Sequence, residues 1–218
     1  MLNSFFSLLI FVSVLFSSPI SAQGDNSFQI NGGIIMPMSS SKGLTTSIQF
    51  NYTFNPIIEL YGYVGYSSWD KYNITYHEDY SPIQKQQYFK TYSADNHILV
   101  PIYLGGKVNF NTNKLFTSFI NFEMGYSHLS YNSFNNFKSV DPETGEVLGY
   151  YPDFSTKKEV SENLFGIGIG AGLSHPITES LGLVLSFKLN SYINSNYYGL
   201  FSTRGTYSMF LAGFNFKI

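Results

Sequence analysis

The sequence predicts an all-β protein, an eight-stranded antiparallel transmembrane β-barrel with short turns at one end and two long loops at the other. Three observations predict it. Apolar side chains recur at every second residue in eight segments, as expected of strands with two unlike faces. Charged residues concentrate between those segments. The chain has no cysteine, so a disulfide framework is excluded and stability has to come from another source, such as barrel closure.

The N-terminal segment has the features of an export signal. Residues 8–16 (LLIFVSVLF) form an apolar core that is too short to span a bilayer as a helix, and residues 17–22 (SSPISA) end in a small side chain. We therefore expect residues 1–22 to be a signal peptide cleaved after Ala22, which leaves residues 23–218 as one barrel domain. A buried N-terminal helix or an uncleaved anchor is the alternative.

The eight alternating segments have about the nine to eleven residues or more that cross a bilayer at a tilt. In the second segment, Leu44 and Ile48 share one face while Gln49 lies on the other. The predicted strands cover residues 28–37, 44–54, 57–69, 97–110, 115–128, 164–174, 181–192 and 206–218. Short connections alternate with long ones, and the two longest cover residues 70–96 and 131–163. Short periplasmic turns and long extracellular loops are typical of outer-membrane barrels.

The positions of the charges test this prediction. Of the twelve Lys or Arg and fourteen Asp or Glu side chains, sixteen lie in the two longest connections. The charges within predicted strands all fall on the polar face, and they are Glu59, Lys107, Glu123, Lys188 and Lys217. Because Lys or Arg on the lipid face at mid-bilayer costs ~2–4 kcal/mol, this placement favours a membrane barrel. A soluble, lipocalin-like barrel would need an outer face rich in Lys and Glu.

Part of this polar face is predicted to form a cluster in the barrel lumen. Its members are Glu59, Lys107, Glu123 and Lys188. Since an eight-stranded barrel is barely wide enough for its own side chains, we expect ion pairs and hydrogen bonds that fill it. A narrow channel for small solutes is the alternative. The alternate glycines of residues 166–172 share this face, and we expect them to make room for Tyr61, Tyr63 and Tyr103 rather than to bind a nucleotide.

Three stretches carry a resemblance to a known family. They are HILVPIYLGGKVNF at residues 97–110, FGIGIGAGLSHPIT at residues 165–178, and SMFLAGFNFKI at residues 208–218. These stretches resemble the small outer-membrane β-barrel proteins of the OmpX/OmpA-like and PorT-like type, the latter common in Bacteroidota. The resemblance implies a porin-like barrel in the bacterial outer membrane, surrounded by outer-membrane lipid and inserted by the barrel-assembly machinery.

The first functional hypothesis is a non-enzymatic cell-envelope protein. It would be structural, or it would bind a protein partner or an extracellular ligand through loops 70–96 and 131–163, which are rich in Tyr and Phe. The alternative is a lipid hydrolase with His128 and Ser130 as weak catalytic candidates, because residues two apart share a strand face. This pair resembles the H-x-S motif of outer-membrane lipid A deacylases, although Tyr131 stands where that family usually has Asn.

Other classes of function are disfavoured by composition. The formal net charge is −2, and Lys157-Lys158 is the longest basic run, which argues against a nucleic-acid partner. The stretch His77-Glu78-Asp79 lacks any established metal-ligand spacing. We therefore predict no metal site and no cofactor.

Overall fold

The computed structural model describes residues 26–38, 40–70, 75–77, 92–111, 115–194 and 205–218. The expected signal peptide, its cleavage after Ala22 and most of loop 70–96 lie outside the described residues. Within those ranges the regular secondary structure is entirely β-strand. The same ranges contain no helix that is long and apolar enough to cross a membrane.

The described ranges form nine strands. They are β1 (Asn26–Pro37), β2 (Gly43–Thr53), β3 (Ile58–Trp69), β4 (Thr75–His77), β5 (Tyr92–Asn111), β6 (Thr117–Val140), β7 (Val147–Pro176), β8 (Leu181–Tyr192) and β9 (Thr206–Lys217). Eight of them close an antiparallel barrel, because β3 pairs with β5 and β9 pairs back with β1. The short β4 adds to the outer part of β5. The prediction of an eight-stranded antiparallel barrel is confirmed.

The two ends of the barrel differ. The first and last described strands, β1 and β9, begin and end at the same end of the barrel, where Ser27 pairs with Lys217. That end also carries tight turns, and in one of them the Asn55 side chain accepts hydrogen bonds from the backbone N–H groups of Ile57 and Ile58 at 2.9 and 2.8 Å. The opposite end carries the long connections. In outer-membrane barrels the short-turn end is periplasmic, so the long connections face outward from the cell.

The alternation in sequence becomes two faces of one sheet. Outward apolar side chains are widely exposed, with Leu44 at 73% and Leu104 at 65%. Inward side chains are buried and mostly polar, and Asn51 and Glu123 are both at 0%. A continuous apolar exterior around a polar interior is the reverse of a water-soluble barrel. The outer wall of this barrel therefore faces hydrocarbon.

The sequence prediction was wrong for residues 131–163. We expected a loop there, with strands ending near His128 and restarting at Leu164, but β6 continues to Val140 and β7 already begins at Val147. We call residues 131–163 the outer hairpin. Backbone pairing continues in this hairpin. Above its base at residues 161–163, both of its faces lie outside the membrane, so apolar and polar residues no longer alternate. A pattern that depends on unlike faces cannot detect such strands.

Candidate functional site in the lumen and at the outer rim

Glu123 lies at the centre of the lumen and is completely buried. One of its carboxylate oxygens accepts hydrogen bonds from Lys188 Nζ and Tyr61 Oη, both at 2.7 Å. The other accepts from Asn190 Nδ2 at 2.7 Å and from Tyr63 Oη at 3.0 Å. Four donors from two strands satisfy this buried charge, as a buried carboxylate requires. The network ties β3, β6 and β8 together across the interior.

A second ion pair lies nearer the periplasmic end. Lys107 Nζ donates to Glu59 Oε1 at 2.6 Å and to Asn51 Oδ1 at 3.1 Å. Glu59 and Lys107 are direct partners in the β3–β5 register, so the backbone itself places them side by side. The sequence predicted which charges enter the lumen, and the structure brings them together as two pairs.

The ring of Tyr61 links the two ion pairs. Lys107 Nζ lies 5.4 Å and Lys188 Nζ lies 5.2 Å from the centre of that ring, distances at which a cation is attracted to an aromatic face. Tyr63 stacks against Tyr103 with ring centres 5.6 Å apart. All five side chains, together with Glu123, are at most 7% exposed. Packed aromatic rings and paired charges therefore occupy the middle of the barrel.

The glycines of β7 make this packing possible. A Cβ atom on Gly166 would overlap Tyr103 Oη, and one on Gly168 would lie 2.6 Å from Asn190 Nδ2 and 2.9 Å from Glu123 Cγ. Real side-chain atoms do not approach so closely. In the strand register Gly168 stands between Glu123 and Asn190, so the missing side chain lets those two residues meet.

The outer part of the lumen contains a buried apolar cluster. The cluster joins strands from both sides of the barrel and consists of Ile35, Trp69, Leu99, Leu164, Tyr192, Tyr207, Met209 and Leu211. This cluster lies on the outer side of the tyrosines and ion pairs. Water in the lumen would therefore have to pass both this cluster and the charged, hydrogen-bonded residues to cross the membrane.

The sequence did not predict a buried polar cluster at the outer rim, centred on Asp70. Asp70 is buried with φ of 53°. Its carboxylate accepts hydrogen bonds from the Ser40 and Ser41 hydroxyls and from Ser41 N, the last at 3.3 Å. His97 Nδ1 lies 3.1 Å from the same carboxylate. Asp70 thus ties the β1–β2 connection to the start of the membrane-spanning part of β5.

The tip of the outer hairpin is a well-defined turn. Asp141 Oδ1 accepts hydrogen bonds from the N–H groups of Glu143 at 2.8 Å and Thr144 at 3.3 Å, which lower the pKa of this carboxyl. Gly145 has φ of +72°, a left-handed conformation that suits glycine. The rings of Phe137 and Tyr151 pack beside the turn with their centres 6.0 Å apart. The tip therefore holds one shape through local contacts.

A register shift bends the hairpin below its tip. The pairing of β6 with β7 slips between Ser133 and Asn135. Asp153 stabilises the extra residues, because its carboxylate accepts from Ser155 N at 3.0 Å. Thr156 Oγ1 then accepts from Asn135 N at 2.9 Å. Such bulges re-aim a strand, and here the bulge sets the direction in which the tip projects.

The weak catalytic candidates both lie on the outer wall, and the structure gives His128 other partners than the sequence suggested. His128 Nδ1 lies 3.0 Å from Asn163 Oδ1, and its Nε2 lies 3.3 Å from Ser161 Oγ. Ser130 stands directly opposite Ser161 in the β6–β7 register. The serine in contact with His128 is therefore Ser161 of β7.

No metal-binding group is found in the described ranges, where three or more His, Asp or Glu side chains never gather closely enough to hold an ion.

Comparisons with known proteins agree with the architecture. The family model described as the outer membrane protein beta-barrel domain matches residues 7–217. No curated protein sequence matches the chain.

Two solved structures resemble the whole barrel. Neisserial surface protein A is 12% identical, with a TM-score of 0.57, and the match covers 88% of this chain and 97% of that one. A major outer membrane protein from Thermus thermophilus is 14% identical, with a TM-score of 0.55 and 89% and 99% covered. Identities this low establish a shared fold and nothing finer.

Proposed function

The chain belongs to the outer membrane protein beta-barrel domain family, and from that premise we propose that it is a sealed scaffold that presents its outer hairpin to a protein partner. The family places the barrel in the bacterial outer membrane. Its wall supplies anchorage, and its lumen supplies rigidity. Among the described residues, the part that extends furthest from the wall is the outer hairpin, which is therefore well placed for recognition.

The length of the outer hairpin carries this proposal. β6 has 24 residues and β7 has 30, whereas β8 and β9, which also cross the barrel wall, have 12 each. The additional dozen residues of β6 correspond to about 40 Å of strand at ~3.4 Å per residue. A chain that needed only to span the bilayer could have closed this connection with a short turn.

The surface of the hairpin favours a particular class of partner. Large apolar side chains stand exposed near the tip, with Leu148 at 62%, Phe154 at 63% and Phe137 at 53%. Residues 135–153 carry four acidic side chains and one Lys, a formal charge of −3. Aromatic anchors beside acidic groups are suited to a protein surface that combines basic and apolar residues. We therefore propose a protein with such a basic patch as the partner.

Photo-crosslinking in native envelopes tests the proposal. A photoreactive phenylalanine analogue at Phe137 should crosslink to a discrete protein. The same analogue at Phe122 on the lipid-facing wall is the matched control and should crosslink only to lipid. Reversing two tip charges with Glu143→Lys and Glu146→Lys should weaken the crosslink from Phe137. A tip that crosslinks to lipid alone, or equally well after charge reversal, contradicts a basic protein partner.

The packing of the lumen argues against the alternative of a narrow channel. Planar-bilayer recordings of the purified barrel should give no discrete conductance steps. Conductance that changes on replacing Lys107 with Ala would instead support a path along the lumen charges.

A further inference from the structure

The base of the outer hairpin carries a polar group on the wall that faces lipid. Tyr126 and Phe165 are opposite each other in the β6–β7 register, and their rings meet edge to face with centres 5.1 Å apart. The next outward pair is His128 with Asn163, and the one beyond it includes Ser161. Successive outward residues are ~7 Å apart along a strand. Aromatic rings mark the bilayer interface, so this polar group lies at the level of lipid headgroups and acyl-ester linkages.

The contacts of His128 distinguish its two ring nitrogens. Asn163 Oδ1 is a hydrogen-bond acceptor, so the 3.0 Å contact with His128 Nδ1 is a hydrogen bond in the tautomer that carries its proton on Nδ1. In the neutral ring Nε2 then holds a lone pair, and it lies 3.3 Å from Ser161 Oγ. Serine nucleophiles are activated by this arrangement. The serine hydroxyl faces the basic nitrogen of a histidine, and a third group holds the other nitrogen of that histidine.

We propose that Ser161, His128 and Asn163 form a lipid-facing site that hydrolyses fatty-acyl esters of membrane lipids. Ser161 Oγ attacks the ester carbonyl carbon while its proton passes to His128 Nε2. The bond from that carbon to the alcohol oxygen then breaks, and His128 returns the proton to the leaving alcohol. Interfacial water attacks the acyl-serine by the same route, which releases the fatty acid and regenerates Ser161. Asn163 is the positioning residue that orients His128.

The position of the site suits this substrate. His128, Ser161 and Asn163 are all exposed on the outer wall, where a lipid can reach them by diffusing sideways in the membrane. Ser130 stands opposite Ser161 in the β6–β7 register and on the same face. In this proposal its hydroxyl is the donor to the developing oxyanion. Water for the second step is available at the interface. The packed lumen takes no part, so a barrel without a pore can carry this activity.

Fatty-acid release from two lipids tests the site. The purified full-length barrel is incubated in mixed micelles with dioleoylphosphatidylcholine or with purified lipopolysaccharide, and free fatty acid is measured by mass spectrometry. Release from one lipid and not from the other identifies the source of the ester. Ser161→Ala and His128→Ala should each lower the rate by about 10²-fold or more. Asn163→Ala should lower it, and Asn163→Asp should restore most of the rate, because a carboxylate also accepts from Nδ1.

Ser118→Ala is the matched control. Ser118 is another outward serine of β6, but it lies near the periplasmic end opposite Phe110 and Leu173. This variant should keep the full rate, and a fluorophosphonate probe should label the unmodified protein and Ser118→Ala but not Ser161→Ala. Heat-modifiable migration on gels verifies that each variant is folded. Labelling that survives in a folded Ser161→Ala barrel, or release from neither lipid above its background, overturns the proposal.

The activity is independent of partner binding at the tip. Joining Asn135 to Asp153, which are register partners, through an Asn-Gly turn removes the tip and leaves the three site residues in place. This variant should lose the crosslink from the tip and keep fatty-acid release. Activity in the unmodified protein would also overturn the expectation of a non-enzymatic barrel.

Discussion

The barrel wall and the outer hairpin are built from the same two strands, yet they differ in what surrounds them. Within the wall, β7 pairs with β6 on one edge and with β8 on the other. In the outer hairpin the described part of β7 pairs with β6 alone. The contact with β8 ends at Asn194, whose side chain accepts a hydrogen bond from Phe165 N at 2.6 Å and donates one to the Asn163 carbonyl oxygen at 3.2 Å. One strand thus passes from a doubly paired setting to a singly paired one.

This difference shows what sequence alternation measures. The wall separates lipid from a polar lumen, so neighbouring residues on one strand meet opposite environments and their polarity alternates. Above its base, both faces of the hairpin lie outside the membrane, so the same backbone conformation imposes no alternation. Alternation of apolar and polar residues therefore indicates a strand with two unlike faces. A strand whose two faces meet similar surroundings lacks this pattern and is predicted as a loop.

The two regions should also differ in how they respond to substitution. In the wall, Glu123 of β6 hydrogen-bonds side chains of both β3 and β8, so a change there affects several strands at once. Between Phe137 and Pro152 the hairpin pairs only within β6 and β7, whereas residues 132–135 below it also pair with β5. Changes near the tip should therefore stay local. Four experiments test this contrast, in order of decreasing effect.

Replacing Glu123 with Ala should give the largest effect. The substitution leaves Lys188 buried without its partner, and breaking a buried ion pair costs about 3–5 kcal/mol. Trp69, the single tryptophan, reports unfolding in urea by its fluorescence in lipid vesicles. Glu143→Ala at the hairpin tip is the control and should change the free energy of unfolding by less than about 0.5 kcal/mol. Equal effects of the two substitutions would erase the contrast.

A side chain at Gly168 should come next. Valine there would press on Asn190 and Glu123, and such overpacking costs about 1–3 kcal/mol. Gly32 lies on the outer wall with no atom within 4 Å of its missing Cβ, so Gly32→Ala serves as the control and should be neutral or stabilising. The unfolding midpoint in urea checks both variants. A Gly168→Val barrel as stable as the unmodified one would show that the lumen has unoccupied space.

Truncating Phe137 to Ala should have a smaller and confined effect. Cross-strand aromatic pairs contribute about 0.5–1.5 kcal/mol, so the loss of its contact with Tyr151 should loosen the tip. Amide hydrogen exchange should accelerate in residues 135–153 while the urea midpoint of the barrel stays unchanged. A shifted midpoint would mean that the hairpin contributes to the stability of the wall.

Acid should give the smallest effect, at the tip turn. The N–H groups of Glu143 and Thr144 lower the pKa of Asp141, so their contribution to the turn is complete above the ordinary aspartate pKa of about 3.9. It is lost as the pH falls below that value through the lowered pKa. Hydrogen exchange at Thr144 should therefore show a pH-dependent loosening beyond its intrinsic rate. Asp141→Asn should abolish that step, and a step that persists in this variant would assign it to another group.

Particular residues show how far sequence could predict the site. The alternation of faces along each strand placed four charged residues in the lumen, because a charge on the lipid face is too costly. They are Glu59, Lys107, Glu123 and Lys188. The same alternation could not determine which charges pair, since Glu123 of β6 contacts Lys188 of β8 across the intervening strand β7, at Gly168. The contact of Asp70 with His97 was missed because Asp70 was assigned to one end of a long loop and His97 to the strand that follows it. Ser161 was missed because it lies 33 residues from His128.

The sequence by itself determined the membrane barrel, its number of wall strands, and the face on which each wall residue lies. It could do so because the unlike environments of lipid and lumen act on every second residue, which is local information. Tertiary structure alone decided the pairings. It determined the donors around Glu123 and the polar cluster at Asp70, and it also determined the extension of β6 and β7 and the serine beside His128. These depend on barrel closure and strand register, which bring together residues that local patterns cannot relate.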